Sequence, residues 1–185
     1  MPDTLNILAV SGSLREKSSN TALMHAIIGL APEEMRFEVY RGLGDLPHFN
    51  PDLDTEAGPA AVTELRSRLA AADAVLICTP EYGNGVPGSL KNALDWIVSS
   101  GEFVNKPTAV ITASPTPMGG DKAHASLLLT LGMINAVVDD GATLMIPHIS
   151  LKLDREGRIK DDALVRDIEA MLAALLSACR AQPSK

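Results

Sequence analysis

The chain has 185 residues, 46% of them apolar, and a formal net charge of −7. That acidity repels polyphosphate backbones and no run of consecutive basic residues offsets it, so nucleic acid is not an expected partner. No window approaches the roughly 18 uninterrupted apolar residues of a membrane span, and residues 1–10 lack the basic, apolar and small-residue order of a secretory leader, so one cytoplasmic domain over 1–185 is expected.

Residues 5–10 form a short apolar run that ends at Ser-Gly-Ser and predicts a first strand. Helical spacing predicts a helix over 20–30, with Asn20 as its cap and Pro32 as its stop. Residues 36–40 alternate weakly and read as a second strand. A loop rich in Gly, Pro, Asp and Asn covers 42–59, and a second helix covers 60–71. Residues 73–78 are almost continuously apolar, the pattern of a strand buried on both faces of a parallel sheet. The loop after it ends at Pro87-Gly88, and a helix is predicted over 89–98. A fourth strand follows over 108–112, then a loop over 114–120 and a helix through Leu131. Ala136-Val137-Val138 together with 143–146 supplies a fifth strand, and a long amphipathic helix over 161–181 closes the chain.

Strands separated by helices imply a parallel sheet covered on both faces, here a doubly wound three-layer α/β domain of five strands and five helices. Ligands of such sheets sit beyond the carboxyl ends of the strands, at the topological switch, which directs attention to the loops after strands one, three and four. Cys78 and Cys179 have neither metal nor redox spacing and read as reduced, mostly buried thiols. His25, His48, His124 and His148 are scattered, so no metal is expected. Asp95 and Trp96, on the helix after the third-strand loop, read as helix or subunit packing.

The first loop, residues 11–20, carries Ser11, Ser13, Ser18 and Ser19 into the start of a helix, with Arg15 among them. Hydroxyls, converging amides and the dipole of the helix can hold a phosphate there without metal, and Arg15 can add a bidentate charge-assisted contact. By residue types alone, an ordinary polar turn with an exposed arginine is an equal reading. The Gly-Lys-Ser/Thr ending of a nucleotide triphosphate loop and the Gly-x-Gly-x-x-Gly fingerprint are both missing. A terminal monophosphate suits this loop better than a pyrophosphate.

The third-strand loop and its helix, Thr79-Pro80-Glu81-Tyr82-Gly83-Asn84-Gly85-Val86-Pro87-Gly88-Ser89-Leu90-Lys91-Asn92-Ala93-Leu94-Asp95-Trp96, carries two prolines at 80 and 87 and glycines at 83, 85 and 88, enough to fix a backbone against a flat ligand. Together with Ser11 to Asn20, it closely resembles the NADPH-dependent FMN reductase family, which includes chromate- and quinone-reducing enzymes. The pattern there runs Gly-Ser-Leu-Arg, then Ser and Asn, then Pro-Glu-Tyr-Asn, Pro-Gly, Leu-Lys-Asn and Asp-Trp.

The resemblance implies a flavodoxin-like sheet of order 2-1-3-4-5, bound FMN, and NADPH or NADH as the electron donor. It implies two-electron reduction of quinones or free flavin, and of azo compounds or chromate. Ser13, Arg15 and Asn20 match positions that bind the FMN phosphate, with Ser11 and Ser18 shaping the loop. Pro80, Glu81 and Tyr82 match positions lining the isoalloxazine ring, chiefly through backbone and packing. Ser114 and the segment to Gly119-Gly120 match the third FMN loop. The turn Leu46 to Leu53 looks like the segment that reaches a neighbouring subunit's flavin site, so a homodimer or homotetramer is implied. No catalytic triad is expected, since the flavin carries the chemistry, and Tyr82, Gly83 and Asn84 form the ring-side pocket. Gly83 departs from the family asparagine, although Asn84 follows; a side-chain contact made by that asparagine is lost or supplied one position on. The alternative is a flavodoxin-like one-electron carrier, but carriers sandwich the ring between aromatics, and aromatic content here is 3%.

Overall fold

The computed structural model describes residues 4–182. Residues 1–3 and 183–185 of the expected 1–185 domain lie outside those described. Five strands, β1 (Leu5–Ser11), β2 (Met35–Tyr40), β3 (Ala74–Thr79), β4 (Thr108–Ala113) and β5 (Thr143–Ile146), form one parallel sheet in the order β2-β1-β3-β4-β5. Helices α1 (Ser19–Leu30), α2 (Ala60–Ala71), α3 (Gly88–Asp95), α4 (Asp121–Met133), α5 (Ile149–Lys152) and α6 (Asp162–Arg180) complete it. The chain leaves β1 for β2 on one side and returns as β3 on the other, which puts the switch between β1 and β3.

Strand alternation divides the core in two. Ile7, Ala9, Leu76, Cys78 and Ile111 point to the face covered by α1 and α6, against Leu23, Ile27, Ile168, Leu172 and Leu175. Leu8, Val10, Val75, Ile77 and Val110 point to the opposite face, against Leu65 and Leu69 of α2, Leu90 and Leu94 of α3, and Leu127 and Leu131 of α4. Every residue of β3 and β4 is buried, as the almost continuously apolar run at 73–78 predicts for β3. Each fully buried Leu or Ile there contributes about 1.5–3 kcal/mol of transfer free energy. The ends of β3 and β4 that carry two of the loops are therefore anchored in fully buried strands.

Three expected boundaries are corrected. Ser18, not Asn20, caps α1: its backbone is extended and its hydroxyl accepts from the Thr21 amide at 3.3 Å. Pro32 does stop that helix, because Ala31 before it is extended. α3 ends at Asp95 rather than 98, where i→i+3 bonds from Ile97 and Val98 replace the helical pattern. Residues 136–138 do not join β5. Val137 bridges only to Pro107, through two backbone bonds, before an Asx turn at Asp139 interrupts the edge, and the ladder resumes at Thr143. The single-turn α5 adds a sixth helix. No helix among the described residues is long and apolar enough to cross a membrane.

Candidate functional site

The site is built where three loops leave β1, β3 and β4 at their carboxyl ends. The first begins with a close approach: Gly12 donates its amide to the Cys78 carbonyl at 2.9 Å, and a Cβ at Gly12 would run into the Thr79 side chain and come 3.0 Å from Leu90. Only glycine lets the loop pass so tightly over β3. Ser11 and Ser13 then turn the chain: the Ser11 hydroxyl lies 2.8 Å from that of Thr21, and the Ser13 amide donates to Ser11 Oγ at 3.4 Å. Ser13 and Ser18 are buried, whereas residues 14–17 are exposed. Arg15 donates its amide to Ser13 Oγ, while its guanidinium makes no ion pair among the described residues. The loop thus joins buried hydroxyls, one exposed cation and the amides of a helix start.

Asn20 lies beneath this loop, 5% exposed, and donates an amide hydrogen to the Ala113 carbonyl at 3.0 Å. Its backbone carbonyl accepts from the Cys78 thiol at 3.2 Å. Asn20 therefore braces α1 against β3 and β4, with one amide hydrogen committed to the fold and one remaining. Burial raises the pKa of the Cys78 thiol far above its ordinary range, so it stays protonated as a donor.

The loop after β3 contains a hairpin in miniature. Tyr82 and Gly85 exchange both backbone bonds at 3.1 Å, and the residues between them, Gly83 and Asn84, have φ of 56° and 60°. Two successive left-handed residues make a type I′ turn, which selects Gly and Asn on backbone grounds. This accounts for glycine where the family has asparagine: position 83 demands a conformation that both residues adopt. A Cβ at Gly83 or Gly85 would meet nothing within 4 Å, so the outer side of the turn is open. Tyr82 is half-exposed, and its hydroxyl lies 3.4 Å from Ser13 Oγ, linking the first loop to the second.

In the loop after β4, the Ser114 amide donates to the Ile146 carbonyl and its hydroxyl accepts from the Thr116 amide at 3.1 Å. Gly119 and Gly120 are both left-handed, and Gly120 begins α4 with no side chain to cap it. The cap comes from the neighbouring loop: Glu81 Oε2 accepts from the Lys122 and Ala123 amides at 2.9 and 3.0 Å. Below, the buried His124 lies 3.4 Å from the Thr112 hydroxyl, and burial lowers its pKa, which favours the neutral ring. The expected residues Ser11, Ser13, Ser18, Pro80, Tyr82, Gly83, Asn84, Ser114 and Gly119 thus belong to three loops tied to one another. The bracing of Asn20 and the capping by Glu81 were missed. The second had a signal, a Gly-Gly pair opening a helix without a Ser, Thr or Asn at its cap.

The segment Leu46 to Leu53 is pinned to α3. Pro47 accepts from the Trp96 indole and the Asn92 amide, both at 2.9 Å, and Phe49 meets Trp96 edge-on at 5.0 Å. Trp96 is fully buried, and Asp95 pairs with Lys91, so packing accounts for the pair. Phe49 and Leu53 remain partly exposed. Among the described residues no group of three or more His, Cys, Asp or Glu could hold a metal ion.

Residues 5–150 match the model of the NADPH-dependent FMN reductase family. The chain is 36% identical to an NAD(P)H-dependent FMN reductase of Pseudomonas aeruginosa over 177 residues, 95% of each chain. It is 31% identical to a quinone reductase of Escherichia coli, over 94% of this chain and 95% of that one. Among solved structures it is similar to FerB, a flavoenzyme NAD(P)H:(acceptor) oxidoreductase of Paracoccus denitrificans, with a TM-score of 0.86, 31% identity, and coverage of 96% and 98%. With this sheet order, these loops and these relatives, the chain belongs to the NADPH-dependent FMN reductase family.

Proposed function

We propose that the protein is an FMN-containing reductase that passes two electrons from NADH or NADPH to quinones or free flavin, with azo compounds or chromate as further acceptors. The observation that carries this reading is the convergence of three cross-tied loops at the β1/β3 switch, one rich in hydroxyls at a helix start and two shaped by left-handed backbone. The donor set fits FMN. Ser11, Ser13 and Ser18 with Arg15 suit a monophosphate dianion, and the open turn at Gly83-Asn84 with the Gly119-Gly120 backbone suits a flat ring. The two-electron redox chemistry belongs to FMN when it is bound.

The residues of this chain bind, orient and exclude. Arg15 would hold the phosphate by a charge-assisted contact, and Ser13 would orient it from within the buried turn. Pro80 to Gly85 gives the ring a rigid backbone edge, whose open outer side admits nicotinamide and acceptor in turn. Tyr82 is the sole aromatic residue in the three loops. These loops therefore offer no aromatic pair to sandwich a ring, which favours an enzyme over an electron carrier. Cytoplasmic location and assembly as a homodimer or homotetramer belong to the same proposal, the latter supported by the exposed apolar surface of Phe49 and Leu53 on a rigid segment.

The test is steady-state oxidation of NADPH and NADH by the FMN-loaded protein with a soluble quinone and with free FMN as acceptors. Turnover with at least one nucleotide is expected. Negligible turnover with both, across several quinones and free FMN, contradicts the enzyme reading.

A further inference from the structure

Glu81 stands in the loop after β3, yet its carboxylate completes a helix that starts after β4. Both amide bonds, from Lys122 at 2.9 Å and Ala123 at 3.0 Å, end on the same oxygen, Oε2. α4 has no side-chain cap of its own, because its N-cap residue is Gly120, left-handed with φ of 86°. A Cβ at Gly120 would come 3.2 Å from Thr112 and 3.6 Å from the Glu81 Cβ, so the two loops also pack closely there. The backbone on one side of this tie runs directly into the Tyr82-Gly85 turn, and on the other directly from Gly119-Gly120.

We infer that Glu81 is a positioning residue: by capping α4 from the neighbouring loop, it sets the distance between the two backbone edges that grip the isoalloxazine ring. The inference rests on the flavin reading above. A carboxylate beside a flavin would otherwise oppose the negative charge that reduction brings. Held on the amides at the positive end of α4, it is offset by them, and its effect on the ligand is geometric. The two properties separate by substitution. Glutamine keeps the reach and can accept both amide bonds on its single carbonyl oxygen, without charge. Aspartate keeps the charge but is one methylene shorter and cannot reach both amides.

The experiment measures riboflavin binding, by fluorescence quenching, to the unsubstituted protein, Glu81→Gln and Glu81→Asp, with hydrogen exchange at the Lys122 and Ala123 amides in the flavin-free proteins. Riboflavin lacks the phosphate and so reads the ring side alone. Loss of a helix cap predicts binding about three- to thirtyfold weaker in Glu81→Asp, with faster amide exchange, and recovery to within about threefold in Glu81→Gln. Loss in Glu81→Gln with Glu81→Asp unchanged overturns the inference, since charge would then be the active property. Equal loss in both overturns it too, since the amide bonds that glutamine can keep would then not set the affinity. Faster exchange in Glu81→Asp with unchanged riboflavin affinity also overturns it, leaving a cap that serves only the helix. An unsubstituted protein that binds neither FMN nor riboflavin removes the flavin reading and this inference together.

Discussion

The first loop and the pair of loops after β3 and β4 solve different recognition problems. In the first, side chains do the work: three serine hydroxyls fold inward, a helix start supplies amides, and Arg15 is left with no ion pair among the described residues. In the other two the backbone does it, through the left-handed pairs Gly83-Asn84 and Gly119-Gly120 and the carboxylate of Glu81. The contrast separates charge from shape. A phosphate is recognised by donors whose chemistry can be deleted one at a time, whereas a flat ring is recognised by a gap whose width depends on conformation.

Substitution should expose that division. Arg15→Ala removes a charge-assisted contact of about 1.5–3 kcal/mol, so FMN binding should weaken by roughly ten- to a hundredfold. Riboflavin affinity should barely change, and equal weakening of both ligands by fluorescence titration would place Arg15 away from the phosphate.

Asn20→Ala acts on the frame shared by both regions. It leaves the buried Ala113 carbonyl without its donor, at a cost of about 1–3 kcal/mol in unfolding free energy measured by urea. The folded variant should lose affinity for FMN and riboflavin alike. A phosphate-selective loss at unchanged stability would make Asn20 a direct ligand rather than a brace.

These two residues also mark what could be read in advance. The alternation of strands and helices, the central burial of β3 and the three loops were legible, because apolar periodicity and Gly-Pro punctuation are local signals, whereas the order of the sheet came with the family resemblance. So was the hydroxyl-rich stretch from Ser11 to Asn20. The part played by Asn20 was not, because its partner Ala113 lies 93 positions away and only the closed sheet brings the two together. Glu81 is the same case across 41 positions. The break between residues 136–138 and β5 was obscured by equally apolar flanks, and the Asp139 turn decides it only once the edge of β4 is in place.

The smallest effect is expected at the turn. Gly83→Asn should fold and bind FMN within about tenfold of the unsubstituted protein, since asparagine enters the left-handed region readily and a Cβ there meets open space. Gly83→Val should lose about 1–2 kcal/mol of stability from the same backbone demand. If asparagine were as damaging as valine in thermal unfolding, position 83 would be selected by something other than its φ.

The central claim, that a side-chain phosphate site and a backbone ring site together hold FMN, is tested most directly by titrating the purified protein with FMN and with riboflavin. The account predicts quenching that saturates at one FMN per subunit, with riboflavin bound at the same stoichiometry but roughly ten- to a hundredfold more weakly. No quenching of FMN, or equal affinity for the two flavins, would contradict it.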